Sequence, residues 1–90
     1  MRNNTASLYQ NAPNPFDNSS SISYYIPSGL HNAQLTITDV SGKTLKTYSI
    51  PQTGPDKEII PGSELTSGIY QYSLFIDGKI IDTRKMIWSK

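Results

Sequence analysis

The sequence predicts an all-β domain, an immunoglobulin-like antiparallel β-sandwich of about seven short strands. Two observations carry this prediction. The 90 residues include 6 glycines and 6 prolines, and these interrupt the chain so often that no room remains for long helices. Between the interruptions, isoleucine, threonine and tyrosine are frequent and apolar residues alternate with polar ones, which is the pattern of half-buried strands. A small β-barrel is the alternative architecture for the same pattern.

The first clear strand carries Ile22, Tyr24 and Ile26 on one face. Ser21, Ser23 and Tyr25 alternate with them on the other face. It ends at Pro27, because proline has no N–H to donate to a sheet ladder.

A hairpin is predicted from two runs, residues 33–38 and 43–50, that flank a short polar turn. Gly42 supplies the positive φ that a tight turn needs, and Asp39 accepts a backbone hydrogen bond within it. Both residues therefore have structural roles in this prediction.

The strongest alternation covers residues 69–76, and its apolar face is expected to lie in the core. Asp77 and Gly78 follow, and this pair is typical of a type I′ hairpin, whose two central residues both need positive φ. The last strand, residues 79–88, mixes charged and apolar residues on both faces, which is typical of a strand at the edge of a sheet.

The length fits one domain, which we place at residues 8–90 after a flexible lead-in of residues 1–7. The net charge of +1 shows none of the basic excess that a nucleic-acid partner requires. The absence of cysteine excludes disulfides and cysteine-based zinc sites. No apolar run is long enough to insert into a membrane, and the N-terminus lacks the apolar stretch of a signal peptide.

Enzymatic chemistry is not predicted. The sole histidine, His31, lies in a loop with no nucleophile motif beside it, so we expect no catalytic residue. Most of the seven carboxylates fall in predicted turns, where aspartate bonds the local backbone. We predict no metal site and no cofactor, although the sequence leaves open whether loop carboxylates bind calcium.

The aromatic residues leave a second function open. Six tyrosines and one tryptophan are enough to build an exposed platform that stacks on sugar rings. Tyr70 and Tyr72 share the apolar face of their strand and are expected to be core residues. The less constrained aromatic residues are Tyr9, Tyr25, Tyr48 and Trp88. A glycan-binding or adhesive module of a cell-surface protein is therefore the alternative function.

The chain also contains a set of short sequence motifs, or blocks, whose combination is not explained by the preferences of turns and strands alone. The blocks are Leu8-Tyr9-Gln10-Asn11-Ala12-Pro13-Asn14-Pro15-Phe16, Asp39 with Gly42-Lys43, Gly68-Ile69-Tyr70, Gly78 and Lys85-Met86. Along nearly the whole chain they resemble the type A C-terminal sorting domain of proteins that the type IX secretion system of Bacteroidetes exports. The stretch around Pro13-Asn14-Pro15-Phe16 is the most specific of them.

The resemblance implies that this domain is a sorting signal and not an enzyme. It would be fused to the C-terminus of a larger cargo protein, which passes through the periplasm and is then secreted or held at the cell surface. The implied partners are an outer-membrane shuttle protein and a sortase that removes the domain. The cargo, the cleavage site, the final anchor and the oligomeric state stay open.

The resemblance also implies two groups of functional residues. Recognition by the secretion machinery is assigned to Gly68, Tyr70, Gly78, Lys85, Met86 and Lys90. The structural motif consists of Pro13, Asn14, Pro15, Phe16, Asp39, Gly42 and Lys43.

Overall fold

The computed structural model describes residues 5–14 and 18–89, and it confirms the predicted antiparallel sandwich. Its strands are β1 (Ser7–Leu8), β2 (Ser19–Ile26), β3 (Ala33–Thr38), β4 (Thr44–Ile50), β5 (Gly54–Pro61), β6 (Gly68–Ile76) and β7 (Lys79–Trp88). A three-stranded sheet has the order β1-β2-β5, and a four-stranded sheet has the order β4-β3-β6-β7. Every strand pair is antiparallel, and one short 3₁₀ turn, Gly62–Glu64, follows β5.

The two predicted turns form as expected. Between β6 and β7, Asp77 and Gly78 have φ values of 51° and 80°, the pair of positive angles that a type I′ turn requires. Between β3 and β4, Gly42 has a φ of 92° and its N–H bonds the Asp39 carbonyl at 3.0 Å.

The Asp39 carboxylate holds the β3–β4 turn together. Its Oδ1 accepts hydrogen bonds from the Ser41 hydroxyl at 2.6 Å, the Ser41 N–H at 2.9 Å and the Lys43 N–H at 3.0 Å. The Ser41 hydroxyl is the main reason that the pKa of Asp39 is lowered, and the Lys43 N–H is the next. Asp39, Gly42 and Lys43 therefore all lie in this turn, and the Asp39 carboxylate joins its two sides.

Strand β5, Gly54–Pro61, is not predicted by the sequence pattern, because Gly54, Pro55 and Pro61 look like interruptions. The structure pairs it with β2 along its whole length, from Gly54 opposite Ile26 to Pro61 opposite Ser19. β5 is an edge strand, and proline is tolerated there when its nitrogen points away from the ladder.

The core lies between the two sheets and takes the alternate residues of each strand. Tyr72, Leu74, Ile22 and Leu35 are fully buried, and Tyr70 is nearly so. The core assignment of Tyr70 and Tyr72 is thus confirmed.

Trp88 closes the core at the end of β7, where only 3% of it is exposed. Its indole Nε1 donates to the Leu65 carbonyl, beyond the 3₁₀ turn. Its ring lies against Gly62, where a Cβ would come within 2.5 Å of the ring and 2.7 Å of the Asn18 carbonyl oxygen. Position 62 therefore requires a glycine. The packing of Trp88 on Gly62 and its hydrogen bond to Leu65 connect the end of β7 to the turn after β5.

A register shift explains the mixed pattern of β7. Leu74 pairs with Asp82, but the next residue, Phe75, pairs with Ile80, so Ile81 is an extra residue in the strand. A bulge of this kind exchanges the faces on which the flanking side chains lie. From Asp82 to the end, alternate residues including Met86 lie on the inner face, and β7 is the edge strand that the sequence predicts.

Candidate recognition surface

Five of the six residues assigned to recognition lie on the β6–β7 hairpin, but they differ in accessibility. Lys85 and Gly78 are exposed, whereas Tyr70 is 6% exposed and Met86 is fully buried. In this fold the side chains of Tyr70 and Met86 therefore pack in the core, beneath the surface that a partner would touch. Lys90 lies outside the described residues, and so do Pro15 and Phe16 of the structural motif.

The N-terminal segment, residues 5–14, runs beside the free edge of β7. Gln10 Nε2 donates to the Lys85 carbonyl at 2.8 Å, and Asn14 Oδ1 accepts the Ile87 N–H at 2.8 Å. We call this contact between residues 8–14 and 84–87 the seam. It brings Asn14, from the block assigned to structure, against the strand assigned to recognition.

A third hydrogen bond completes the seam and joins the two sheets. Arg84 Nε donates to the Leu8 carbonyl at 2.9 Å, and Leu8 itself is paired with Tyr24 in the three-stranded sheet. The guanidinium also lies 3.7 Å from an Asp82 carboxylate oxygen, in a pair whose side chains are 40% and 44% exposed. An ion pair so accessible to water contributes little to stability, so Arg84 matters at the seam mainly as a donor to the main chain.

A buried polar network lies beneath the seam. The fully buried Tyr72 hydroxyl donates to the Tyr9 carbonyl at 2.8 Å and accepts the Asn11 N–H at 2.7 Å. The Asn11 side chain, in a residue only 3% exposed, donates to Ser20 Oγ at 2.8 Å and to the Pro13 carbonyl at 3.0 Å. The Ser20 hydroxyl also donates to Pro13, at 2.8 Å. These bonds fix the path of the segment that leads to Asn14.

The sequence analysis does not find the roles of Gln10, Asn11 and Ser20. Hydrogen bonds of the network and the seam join residues up to 76 positions apart, and no local pattern reports such a contact. The sequence feature that could have indicated these roles is the Leu8-to-Phe16 block, because its polar residues lie outside every predicted turn and strand.

Burial raises the pKa of the Tyr72 hydroxyl, although the Asn11 N–H and the charge of Arg84 act in the opposite direction. Burial also raises the pKa of Tyr24, with further contributions from the carboxylates of Asp56 and Glu58. Both hydroxyls are therefore kept neutral beyond the pH at which an ordinary tyrosine, with a pKa of about 10, ionises.

We expect the free energy of unfolding to fall as the pH rises above about 10. In that range the unfolded chain releases protons that the native Tyr24 and Tyr72 retain, so alkali favours the unfolded state. An absorbance titration at the tyrosinate band should show ionisation that continues above about pH 10 and is completed together with the loss of the fold, because the pKa values of Tyr24 and Tyr72 are raised. Complete ionisation near about pH 10, with the fold intact, would contradict the raised pKa values of these two residues.

Side chains cover the outward main-chain groups of β7 at intervals of two residues. The Thr83 N–H is bonded by Asp82 Oδ1 at 2.8 Å, the Lys85 carbonyl by Gln10, and the Ile87 N–H by Asn14. On the free edge of β5, Asp56 Oδ1 accepts the Lys57 N–H at 2.8 Å in the same way. Such covers are a means by which natural sheets keep their edges from pairing with other chains.

Replacing Asn14 with alanine should remove the side-chain hydrogen bond to the Ile87 N–H and expose that amide to solvent. We expect the Ile87 amide to exchange with solvent roughly fivefold faster, because one net hydrogen bond of about 1 kcal/mol is lost. The amide of Met86 points toward β6 and is the internal control. Equal acceleration at both amides would indicate general unfolding and would argue against a local role for Asn14.

Other features of the surface offer less for chemistry. A cavity of about 820 Å³ lies at one end of the sandwich, lined by His31, Gln52 and Thr53 among others, and His31 is exposed there as the sequence suggests. Residues 5–14 and 18–89 contain no cluster of three metal-ligating side chains. Nor does this part of the chain contain a helix with the length and hydrophobicity of a membrane span.

The exposure of the aromatic side chains bears on the glycan-binding alternative. A sugar platform needs several aromatic residues exposed on one face. Among the aromatic residues that the structure describes, Tyr9 is exposed at 51%, and the others are buried or half-buried. Tyr9 and Tyr25 line a shallow groove of about 410 Å³ beside Pro55, which is a small surface for that purpose.

Comparison with known proteins gives one family and one structural likeness. A family model described as the secretion system C-terminal sorting domain matches residues 10–89. A solved structure described as "Biofilm associated protein - BSP domain" has a TM-score of 0.63 and 17% identity, covering 92% of this chain. The chain spans only 15% of that protein, and at this identity the likeness concerns the fold alone. No curated protein matches the sequence.

Proposed function

From the premise that this chain belongs to the family of type IX secretion system C-terminal sorting domains, we propose that it directs an attached cargo protein across the outer membrane. Members of this family interact with the type IX machinery, and their cargo reaches the cell surface or the extracellular space. The family is one of sorting signals and not one of enzymes. The single observation that carries the proposal is a family match from residue 10 to residue 89.

The geometry supports a role in protein recognition. The space between the sheets is filled by side chains, and within the described residues no buried side-chain nitrogen or oxygen lacks a hydrogen-bond partner. Gln10 and Asn14, from the block near the N-terminus, contact the strand of the Lys85-Met86 block at the seam, so described residues of both blocks lie side by side. A signal that a protein partner recognises needs such a rigid surface more than it needs a pocket.

The finer steps belong to the same proposal. The cargo precedes this domain and is exported through the periplasm, an outer-membrane shuttle protein binds the folded sandwich, and a sortase removes it from the cargo. The domain itself carries no catalysis. Lys85 and Gly78 would contact the machinery directly, whereas the buried Tyr70 and Met86 would hold the hairpin in shape for that contact.

The test is a secretion assay. A signal peptide and a fluorescent reporter are placed before residues 3–90 and expressed in two Bacteroidetes strains, one with a working type IX system and one without. We expect reporter in the medium or on the cell surface of the first strain only. A folded fusion that stays in the periplasm of both strains would overturn the proposal and would favour the glycan-binding module.

A further inference from the structure

On the free edge of β7, the main-chain N–H and carbonyl groups form hydrogen bonds with side chains, whereas in a paired strand they bond the main chain of the neighbouring strand. Thr83, Lys85 and Ile87 direct their N–H and carbonyl groups away from β6, and the bonds observed on that side come from the side chains of Asp82, Gln10 and Asn14. Each is a single, exposed hydrogen bond and therefore easily exchanged for another.

We propose that β7 binds the type IX machinery by strand addition: an extended, acidic segment of a machinery protein pairs with the main chain at Thr83, Lys85 and Ile87. This inference rests on the proposed function and specifies its mode of contact. The incoming strand replaces the covers from Gln10 and Asn14, so that the seam opens as the partner binds.

The spacing of the outward groups supports a strand as the partner. An added β-strand presents a donor and an acceptor at every second residue, which is the interval at which Thr83, Lys85 and Ile87 present theirs. The extra residue at Ile81 breaks the regular ladder, so the pairing stretch begins after it. Trp88, packed on Gly62, holds the far end of the stretch in place.

The charge at this edge supports an acidic partner. Arg84 is already paired with the Asp82 carboxylate at 3.7 Å, whereas the adjacent Lys85 is exposed and has no ion-pair partner within the described residues, so Lys85 supplies the available positive charge. A negatively charged added strand would bind the positive edge of β7 in preference to a negatively charged edge. The free edge of β5 differs, because Asp56 and Glu58 flank Lys57 there and Pro55 removes a main-chain donor.

Proline at position 85 tests the main-chain contact. The Lys85 N–H points away from β6, so Lys85→Pro removes a donor for the partner without removing a bond of the β6–β7 ladder. Lys85→Ala removes the charge and keeps that N–H. The matched control is Lys57→Pro, the same substitution at an exposed lysine whose N–H faces outward on the β5 edge.

In the secretion assay we expect Lys85→Pro to lower type IX-dependent export roughly tenfold or more, a factor that corresponds to ~1.4 kcal/mol of binding. Lys57→Pro should leave export unchanged, and Lys85→Ala should lower it by less than Lys85→Pro does. Strand addition is wrong if Lys85→Pro is exported like the wild type, or if Lys85→Ala loses as much export as Lys85→Pro. In each of those cases the wild-type fusion is still exported, so the proposed function stands by itself.

A second measurement covers the case in which Lys85→Pro lowers the melting temperature and loses export by unfolding. A photoreactive phenylalanine derivative is placed at position 85 or at position 57 of the otherwise intact fusion and irradiated in cells with a working system. We expect a cross-link to a secretion protein from position 85 and none from position 57. Equal cross-links from both positions, or one from position 57 alone, would overturn the proposal.

Discussion

Replacing Trp88 with alanine is expected to lower the free energy of unfolding by about 3–5 kcal/mol, the range for removing a large buried aromatic side chain. The indole is 3% exposed, it packs on Gly62, and its N–H donates to the Leu65 carbonyl. The substitution leaves a cavity and removes the partner of that carbonyl. Since domains of this size have a total stability of about 5–13 kcal/mol, the variant should unfold at a much lower denaturant concentration.

Lys85→Ala is the matched control, because it changes an exposed residue in the same strand. Substitutions of this kind usually change stability by less than about 0.5 kcal/mol. Chemical denaturation of the two variants, followed by tryptophan fluorescence where Trp88 is present and by circular dichroism in both, gives the comparison. A Trp88→Ala variant as stable as the wild type would show that the packing on Gly62 does not hold the last strand.

This result determines how C-terminal deletions can be interpreted. A deletion of residues 84–90 removes Met86 and Trp88 from the core, together with the exposed Lys85. Loss of export would then report unfolding as much as loss of a signal. Substitutions at Lys85, whose side chain lies outside the core, separate the two effects.

Most of the fold could be predicted from the sequence, because burial on one face imposes a period of two on each strand. That period located β2, β3 and β6, and the turns at Gly42 and at Asp77-Gly78 marked where β4 and β7 begin. The period of two did not locate β5, because Gly54, Pro55 and Pro61 suggest breaks in the chain, although a strand at the edge of a sheet tolerates these residues.

The seam could not be predicted in the same way. Its bonds depend on which strand of one sheet faces which strand of the other, and a single sequence holds no local record of that arrangement. The family blocks showed that Asn14 and Lys85 matter, but not that they lie together. The bulge at Ile81 is a similar case, because it places charged and apolar residues on faces that simple alternation does not give.

Tyr72→Phe is the second substitution with a large expected effect, about 2–4 kcal/mol of destabilisation. The phenol is fully buried and its ring remains in the variant, so the loss comes from the hydroxyl alone. Without it, the buried Asn11 N–H loses its observed partner, which costs about 1–3 kcal/mol, and the part-buried Tyr9 carbonyl loses a hydrogen bond with a net value of about 1 kcal/mol. Thermal or denaturant unfolding measures the sum, and Tyr25→Phe, at a half-buried tyrosine, is the matched control.

Hydrogen exchange decides how that loss is distributed. If Tyr72 holds the N-terminal segment against the sandwich, the amides of residues 8–14 and of Ile87 should exchange faster in Tyr72→Phe than those in the centre of β3. The seam then opens locally while both sheets persist. Uniform acceleration across β3 and β6 would instead show that Tyr72 supports the whole core. A segment that opens without global unfolding is what displacement by a partner strand at β7 requires, so the same experiment measures the energy that such a partner must supply.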